Sequence, residues 1–319
     1  MADALTTYLS AFKKLRVDRS HGVAPHKPIL LISILQAVKV GIITSNKIFI
    51  TPELIALFKS NWTNLVITPH YCKFALPFFH LRSEKFWSLV AKQGNDSQLL
   101  LASSISSINQ LDSLVDYALM DEQLFKLMMR EPQNSILQQF LLDQYFPDRN
   151  ATNQIPAYQS LIENIEDKIL NEGAADYKKE IASLLARNDE EEIFLRGSLF
   201  KKEIPKVYDN ACCISGLRVN STLNISMIDA CHIRPFSQSY DDTITNGISL
   251  CPNLHRAFDR GIIAIDNNYT VMVSYTFSEN DSIYGIKQFH NKPINLPARQ
   301  EYWPSLINLE WHRNHIFQP

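Results

Sequence analysis

One stretch decides the fold of the C-terminal part of the chain: it reads Asp229-Ala-Cys-His-Ile-Arg-Pro235 and then Asn246-Gly-Ile-Ser-Leu-Cys-Pro-Asn-Leu-His-Arg-Ala-Phe-Asp-Arg-Gly261. The first segment predicts a strand that ends at His232. Asn246-Gly247 is a strong turn dipeptide, and a second strand follows it. The residues 252–259 predict a short helix that Gly261 ends. The pattern is therefore a strand, a loop, a strand and a helix, or ββα.

The polar residues of this stretch suit metal-assisted chemistry. His255 and Asp259 lie four positions apart, so both project from one face of the predicted helix and can share a divalent cation. His232, with an ordinary pKa of about 6.5, is suited to take a proton from an attacking water. Asn246 does not titrate, and its amide either fixes the loop that holds His232 or ligates the metal through its oxygen.

This stretch resembles the HNH (ββα-metal) endonucleases. The resemblance implies that His232 is the general base, Asn246 the central asparagine, and His255 and Asp259 the helix-borne metal ligands. His232, Asn246 and His255 are then the catalytic residues, and the cofactor is a divalent metal ion, Mg²⁺ or Mn²⁺.

One position departs from the family pattern. Many relatives have Asp or His just before the base as a further ligand, whereas this chain has Cys231. A thiol is a poor partner for a hard cation. Asp229 is the candidate substitute, and strand alternation places it on the same face as Cys231 rather than His232. The third protein ligand stays open between these two.

The N-terminal part of the chain reads as mainly helical. The longest apolar run, 29–38, is interrupted by polar residues and predicts a buried helix rather than a membrane span. Two apolar runs parted by a polar tetrad, 78–81 and 86–90, predict a β-hairpin. A winged-helix-like domain follows from an order of helix (from Leu5), helix (from Pro28), strand (48–50), helix (from Pro52) and that hairpin, with further helices over 112–145.

Three N-terminal segments resemble the sulfur-binding domain of Mcr-type, modification-dependent restriction endonucleases: Arg16-Val-Asp-Arg-Ser-His-Gly-Val-Ala-Pro-His-Lys-Pro28, Leu76-Pro-Phe-Phe-His-Leu-Arg82 and Leu141-Leu-Asp-Gln-Tyr-Phe-Pro147. Leu76 stands where the family has Tyr, and His80 is bulkier and more polar than usual, while Pro77 is kept. The pocket therefore reads either a phosphorothioate or another mark such as a methylated base. The resemblance implies the following DNA- and modification-binding residues: Arg16, Arg19, His21, His26, Lys27, Leu76, Pro77, His80 and Arg82.

Composition sets limits on the class of protein. A chain of 319 residues with 45% hydrophobic and 20% charged residues is long enough for two domains. Its net charge of −2 gives no global sign of nucleic-acid binding, so any basic surface is local. The N-terminus lacks a signal-peptide pattern, and five cysteines predict buried thiols rather than disulfides or a zinc knuckle. We expect a cytoplasmic protein with no membrane contact.

Together these patterns predict an α+β chain. Its expected parts are a winged-helix-like DNA reader over 1–150, a helical connector over 151–195 and an HNH nuclease domain over 196–319. The expected partner is modified double-stranded DNA, and since one HNH site cuts one strand, a homodimer is expected. The alternatives are an HNH nuclease that reads methylated or unmodified DNA, and a non-catalytic DNA-binding regulator with a decayed HNH module.

Overall fold

The computed structural model describes residues 2–18, 22–148, 157–219 and 226–319. The chain divides into two compact units. The N-terminal unit comprises Met1–Glu163 with Asn188–Leu195, and the C-terminal unit comprises Asn164–Arg187 with Arg196–Pro319. The residues of the predicted connector are thus shared between the two units. The mixture of helices and small antiparallel sheets confirms the α+β class.

The N-terminal unit is built around one buried helix. Its elements are α1 (Ala2–Lys13), α2 (His26–Lys39), β1 (Lys47–Ile48), α3 (Pro52–Leu65), α4 (Ala75–His80), β2 (Trp87–Ala91), α5 (Asp96–Leu101), α6 (Ile108–Leu114), β3 (Val115–Met120), α7 (Glu122–Met128) and α8 (Gln133–Tyr145). Helix α2 is buried without a break from Lys27 to Val38, because α3, α4 and α8 all pack against it. A helix with so few polar residues can be stable in water only when other elements cover it in this way.

The predicted β-hairpin is wrong. Phe78 and Phe79 lie in helix α4 and are both fully buried, and β2 pairs with β3 instead, with Leu89 opposite Ala118. The two apolar runs do touch, since the Trp87 indole donates to the Phe78 carbonyl. A short apolar run is compatible with a buried helix as well as a strand, so periodicity alone could not separate them. The hairpin is the last of the five elements on which the winged-helix-like prediction depends; the first four, helix, helix, strand and helix, are present as α1, α2, β1 and α3.

Strand β3 also corrects the predicted run of helices over 112–145. Val115–Met120 is the central strand of a three-stranded antiparallel sheet in the order β1-β3-β2. Its burial alternates only in part, with Val115, Ala118 and Met120 facing inward. The strand is specified by partners far away in sequence, Trp87–Ala91 on one side and Lys47–Ile48 on the other.

The C-terminal unit has the predicted ββα core. Helices α9 (Ala157–Asn171) and α11 (Glu190–Val207) are each divided between the two units. The other elements of the C-terminal unit are α10 (Ala174–Ala186), β4 (Asp229–His232), α12 (Phe236–Ser239), β5 (Gly247–Leu250), α13 (Pro252–Asp259), β6 (Ile263–Ile265), β7 (Val271–Val273) and α14 (Leu306–His315). Strands β4 and β5 are antiparallel with His232 opposite Gly247, and α13 packs on both. This register brings the end of β4 and the helix together.

Gly261 ends α13, as the sequence predicts. Its φ of +71° favours glycine, and a Cβ at this position would come within 2.0 Å of the Ile316 carbonyl oxygen. The Gln318 amide donates to the Gly261 carbonyl, which ties the residues after α14 to the end of α13. In the described parts of the chain, no helix is both long and apolar enough to cross a membrane.

Candidate functional sites

His232 is fixed on two sides at the end of β4. Its ring stacks on Phe200 of α11, with centroids 4.0 Å apart and planes 9° from parallel. Its Nε2 lies 2.7 Å from Oδ1 of Asp242. The His232 side chain keeps 23% of its surface exposed, whereas Asp242 keeps 2%. The imidazole is therefore held in one orientation and still reaches the solvent side of the site.

Asp242 is a functional candidate that sequence reasoning missed. Burial raises the pKa of this carboxyl, and the hydrogen bond with His232 acts in the opposite direction. Its other oxygen, Oδ2, has no hydrogen-bond partner among the described residues. No spacing rule points from position 242 to position 232, because the loop between them sets their distance.

Asn246 fixes that loop. It is fully buried; its Oδ1 accepts from the Arg234 amide at 3.0 Å, and its Nδ2 donates to the carbonyls of Arg234 and Asp241, both at 2.9 Å. The Asn246 carbonyl also accepts from the Ile233 amide. Of the two roles open to Asn246, the geometry supports fixing the loop, since both atoms of its amide group are engaged there.

The other polar residues of the site form one cluster. His255 lies with its Nδ1 3.3 Å from Asp229 Oδ2 and its Nε2 3.4 Å from Asp259 Oδ2. Cys231 points its Sγ toward Asp259 Oδ1 at 3.7 Å. Ligand atoms of Cys231, His255 and Asp259 all lie within 4.8 Å of one another, so the cluster could hold a metal ion. The structure thus brings both candidates for the third ligand, Asp229 and Cys231, beside the helix-borne pair.

The donor chemistry of the cluster fits a divalent cation with oxygen and nitrogen ligands. Asp229, His255 and Asp259 supply two carboxylates and one imidazole. Burial strongly raises the pKa of the Cys231 thiol, and the neighbouring Asp259 carboxylate raises it further. The thiol is therefore neutral at pH 7 and donates to Asp259, rather than offering a thiolate.

A cavity of about 420 Å³ extends from His232 to the cluster. His232, His255 and Asp259 line it, and Lys201 adds an exposed ammonium group at its edge. His312 of α14 lies in the wall, stacked on Phe258 at 3.6 Å with its Nε2 3.0 Å from the Phe258 carbonyl. Burial lowers the pKa of His312 to about 4, so this imidazole is uncharged at neutral pH.

Comparison with known proteins finds a family for the segment that contains this site. Residues 212–266 match the family model of the HNH endonucleases. Over these residues the chain is similar to an HNH endonuclease domain. A solved structure described as a modification dependent TagI restriction endonuclease is 20% identical over 37% of this chain and 38% of that chain, with a TM-score of 0.28. The matched part is well under two thirds of that protein's length. No curated protein matches the chain.

A second cavity, of about 480 Å³, lies in the N-terminal unit. It gathers six of the nine residues predicted to bind DNA or its modification: Arg16, His26, Lys27, Leu76, Pro77 and His80. Arg82 is not in its lining; this guanidinium lies over the Phe79 ring and donates to the Leu99 and Ala102 carbonyls. Arg19 and His21 lie outside the described residues. The sequence did not indicate His70, which also lines the cavity.

Several basic residues of this cavity do not present a free positive charge to it. Lys27 is 6% exposed and its ammonium lies 2.7 Å from Glu84, so a carboxylate already neutralises it. Burial lowers the pKa of His26 to about 4 and also lowers that of His80, with the charges of Lys27 and Arg82 adding to the effect. The wall therefore contains apolar side chains and the uncharged imidazoles of His26 and His80. Arg16 and Asp18 add an exposed cation and an exposed carboxylate to the lining.

Proposed function

We propose that the chain is a modification-dependent DNA endonuclease of the restriction type. Its HNH site would hydrolyse phosphodiester bonds, and its N-terminal cavity would bind the mark on the DNA. The observation that carries the proposal is the cavity that His232 shares with His255 and Asp259 inside a matched HNH domain. A proton acceptor and a cation-binding cluster around one space are what phosphodiester hydrolysis needs.

Each residue has a role in this proposal. Asp229, His255 and Asp259 would hold the divalent cation, Mg²⁺ or Mn²⁺, since their donors are oxygen and nitrogen. When bound, such a cation neutralises negative charge on the scissile phosphate and on the leaving oxygen. His232 would take the proton of the attacking water, and Asn246 would keep the loop beside it in place. Neither cation binding nor proton transfer requires the Cys231 sulfur in this proposal.

The N-terminal cavity would read a phosphorothioate. Sulfur is larger and less well hydrated than the oxygen that it replaces, so an apolar wall such as Leu76 and Pro77 favours it. Arg16 at the rim would balance the remaining charge of the linkage. The alternative is a methylated base, and the uncharged imidazole of His26 favours it, because a neutral wall suits a neutral ligand.

One experiment separates these marks. Duplexes of one sequence, with phosphorothioate linkages, methylated bases or no mark, are incubated with the protein and Mg²⁺ or Mn²⁺, and initial cleavage rates are compared. We expect fastest cleavage of the phosphorothioated duplex, and Arg16→Ala should reduce that preference while Lys14→Ala, an exposed residue that does not line the cavity, should not. Preference for methylated DNA would transfer the proposal to the alternative mark. Preference for plain DNA would exclude a modification reader.

Double-strand cleavage would require two HNH sites, so we propose a homodimer on DNA. Mass photometry of the protein with cleavable modified duplex should show two protomers per duplex when linear product accumulates. Linear product formed by complexes that contain only one protomer would exclude the dimer.

A further inference from the structure

Two adjacent, equally buried aspartates in the loop before Asn246 have different partners. Asp241 and Asp242 are each 1% exposed. The Asp241 carboxylate bonds locally, accepting from the amide and hydroxyl of Thr243 at 2.9 and 2.7 Å. The Asp242 carboxylate instead reaches back across the loop to His232 Nε2 at 2.7 Å.

Burial of the Asp242 carboxylate has an energetic cost, which the contact with His232 and the charge of the buried Arg196 offset only in part. A buried carboxylate is unfavourable unless hydrogen bonds or opposite charges compensate it. One of its oxygens bonds His232, and the other has no hydrogen-bond partner in the described parts of the chain. A buried carboxylate with an unsatisfied oxygen is unfavourable for stability, and such residues are commonly found at functional sites.

The bond determines which nitrogen of His232 is available for chemistry. A carboxylate accepts hydrogen bonds, so Asp242 favours the tautomer that carries its proton on Nε2. Nδ1 then keeps its lone pair. The stack on Phe200 fixes the plane of the same ring, so the two contacts together favour one orientation and one tautomer of the imidazole before substrate binds.

We propose that Asp242 is the positioning residue of the nuclease site, holding His232 as its Nε2–H tautomer with Nδ1 free to accept a proton. This inference rests on the proposed function in that His232 is the base. In the step, a water gives its proton to Nδ1 and the resulting hydroxide forms the new bond to phosphorus. The bond to the leaving oxygen breaks, and that oxygen takes a proton from solvent. The Asp242 carboxylate stabilises the imidazolium that results.

The tautomer can be measured without any cleavage. Nitrogen-15 NMR of the full-length protein, with His232 assigned by the His232→Gln variant, should show the Nε2–H form at neutral pH. In Asp242→Asn the preference should be lost, because an amide can donate as well as accept. An Nδ1–H form in the native protein would overturn the proposal.

Single-turnover cleavage of modified duplex then tests the consequence. We expect Asp242→Asn to slow the cleavage rate about 100-fold or more while the Kd for DNA stays within about twofold. Asp241→Asn is the matched control, and its rate should change far less. Equal losses in the two variants, or a nearly native rate in Asp242→Asn, would overturn the positioning role. If the native protein cleaves no DNA but shows the Nε2–H form, the proposed function fails and the effect of Asp242 on His232 stands.

Discussion

Cys231 is the most unusual residue of the candidate metal cluster. Its neutral thiol sits among two carboxylates and an imidazole, with its Sγ 3.7 Å from Asp259. Hard cations leave such a thiol protonated, since they prefer oxygen ligands. Soft cations can displace its proton and bind the thiolate tightly. The same site should therefore respond differently to the two classes of metal.

This difference predicts selective inhibition. Zn²⁺ or Cd²⁺ should inhibit Mg²⁺-supported cleavage, and Cys231→Ser should raise the inhibitory concentration about tenfold or more because it removes the thiolate ligand. Cys213→Ser, a change at another buried thiol of the same unit, should leave inhibition unchanged. Titration of cleavage rate against each metal measures the effect. Equal sensitivity of all three proteins would exclude Cys231 from the metal cluster.

For individual residues, the sequence predicted which side chains lie together when their placement depends only on the geometry of one helix or one strand. His255 and Asp259 are one helical turn apart, and Asp229 and Cys231 alternate on one strand, so spacing alone places them together. Asp242 was not predictable, because its approach to His232 depends on a loop that Asn246 fixes by buried hydrogen bonds. The predicted roles of these residues in catalysis remain predictions.

Among the elements, the contact between α11 and β5 positions the His232 ring. Gly247 lies opposite His232 in the strand pair, and a Cβ there would come 2.1 Å from Cδ1 of Ile204 and 2.9 Å from Cζ of Phe200. The absence of a side chain therefore lets α11 approach the strand closely enough for Phe200 to stack on His232. This makes α11 part of the candidate site, although the family match begins after it, at residue 212.

Gly247→Ala should disturb both stability and cleavage. The added methyl group displaces Ile204 and Phe200, which should lower the free energy of unfolding by about 1–3 kcal/mol and slow cleavage because the His232 ring loses its support. Denaturant unfolding and single-turnover rates measure the two effects. Gly197→Ala, inside α11, is the control. Apart from its chain neighbours and the backbone of its own helix, no described atom lies within 4 Å of where its Cβ would stand. This change should raise the free energy of unfolding by roughly 0.5–1 kcal/mol. A native midpoint and rate for Gly247→Ala would contradict the contact.

Elements also show where sequence reasoning fails in the N-terminal unit. The ββα core forms as predicted because its strands and helix are close neighbours in sequence. Strand β3 was not predicted, because the strands that pair with it are far away in the sequence. A strand was predicted in place of α4, because a short run of buried residues shows neither helical nor strand periodicity. In both cases tertiary contacts, rather than local pattern, decide the structure.

On the scale of the whole molecule, buried neutral imidazoles link stability to pH. His312 has a pKa lowered to about 4 by burial, against about 6.5 in an unfolded chain. Below pH 6.5 the unfolded chain takes up a proton that the native protein does not. The stability present above that pH is therefore lost as pH falls from 6.5 toward 4.

His312→Gln should remove this contribution. The free energy of unfolding of the native protein should fall by up to about 3 kcal/mol more than that of the variant between pH 7 and pH 4. His315→Gln, at an exposed position of the same helix, should keep the native pH dependence. Denaturant titrations at several pH values provide the comparison. Parallel curves for native protein and His312→Gln would show that His312 contributes nothing to acid sensitivity.

The proposed function depends above all on hydrolysis of DNA by the ββα site with His232 as its base. Single-turnover cleavage of a modified duplex with Mg²⁺ or Mn²⁺ tests this in the native protein, His232→Ala and the control His315→Ala. We predict a rate at least about 1,000-fold lower for His232→Ala, with DNA binding retained and the control unaffected. Cleavage by His232→Ala at the native rate would rule out His232 as the base and, with it, the proposed mechanism.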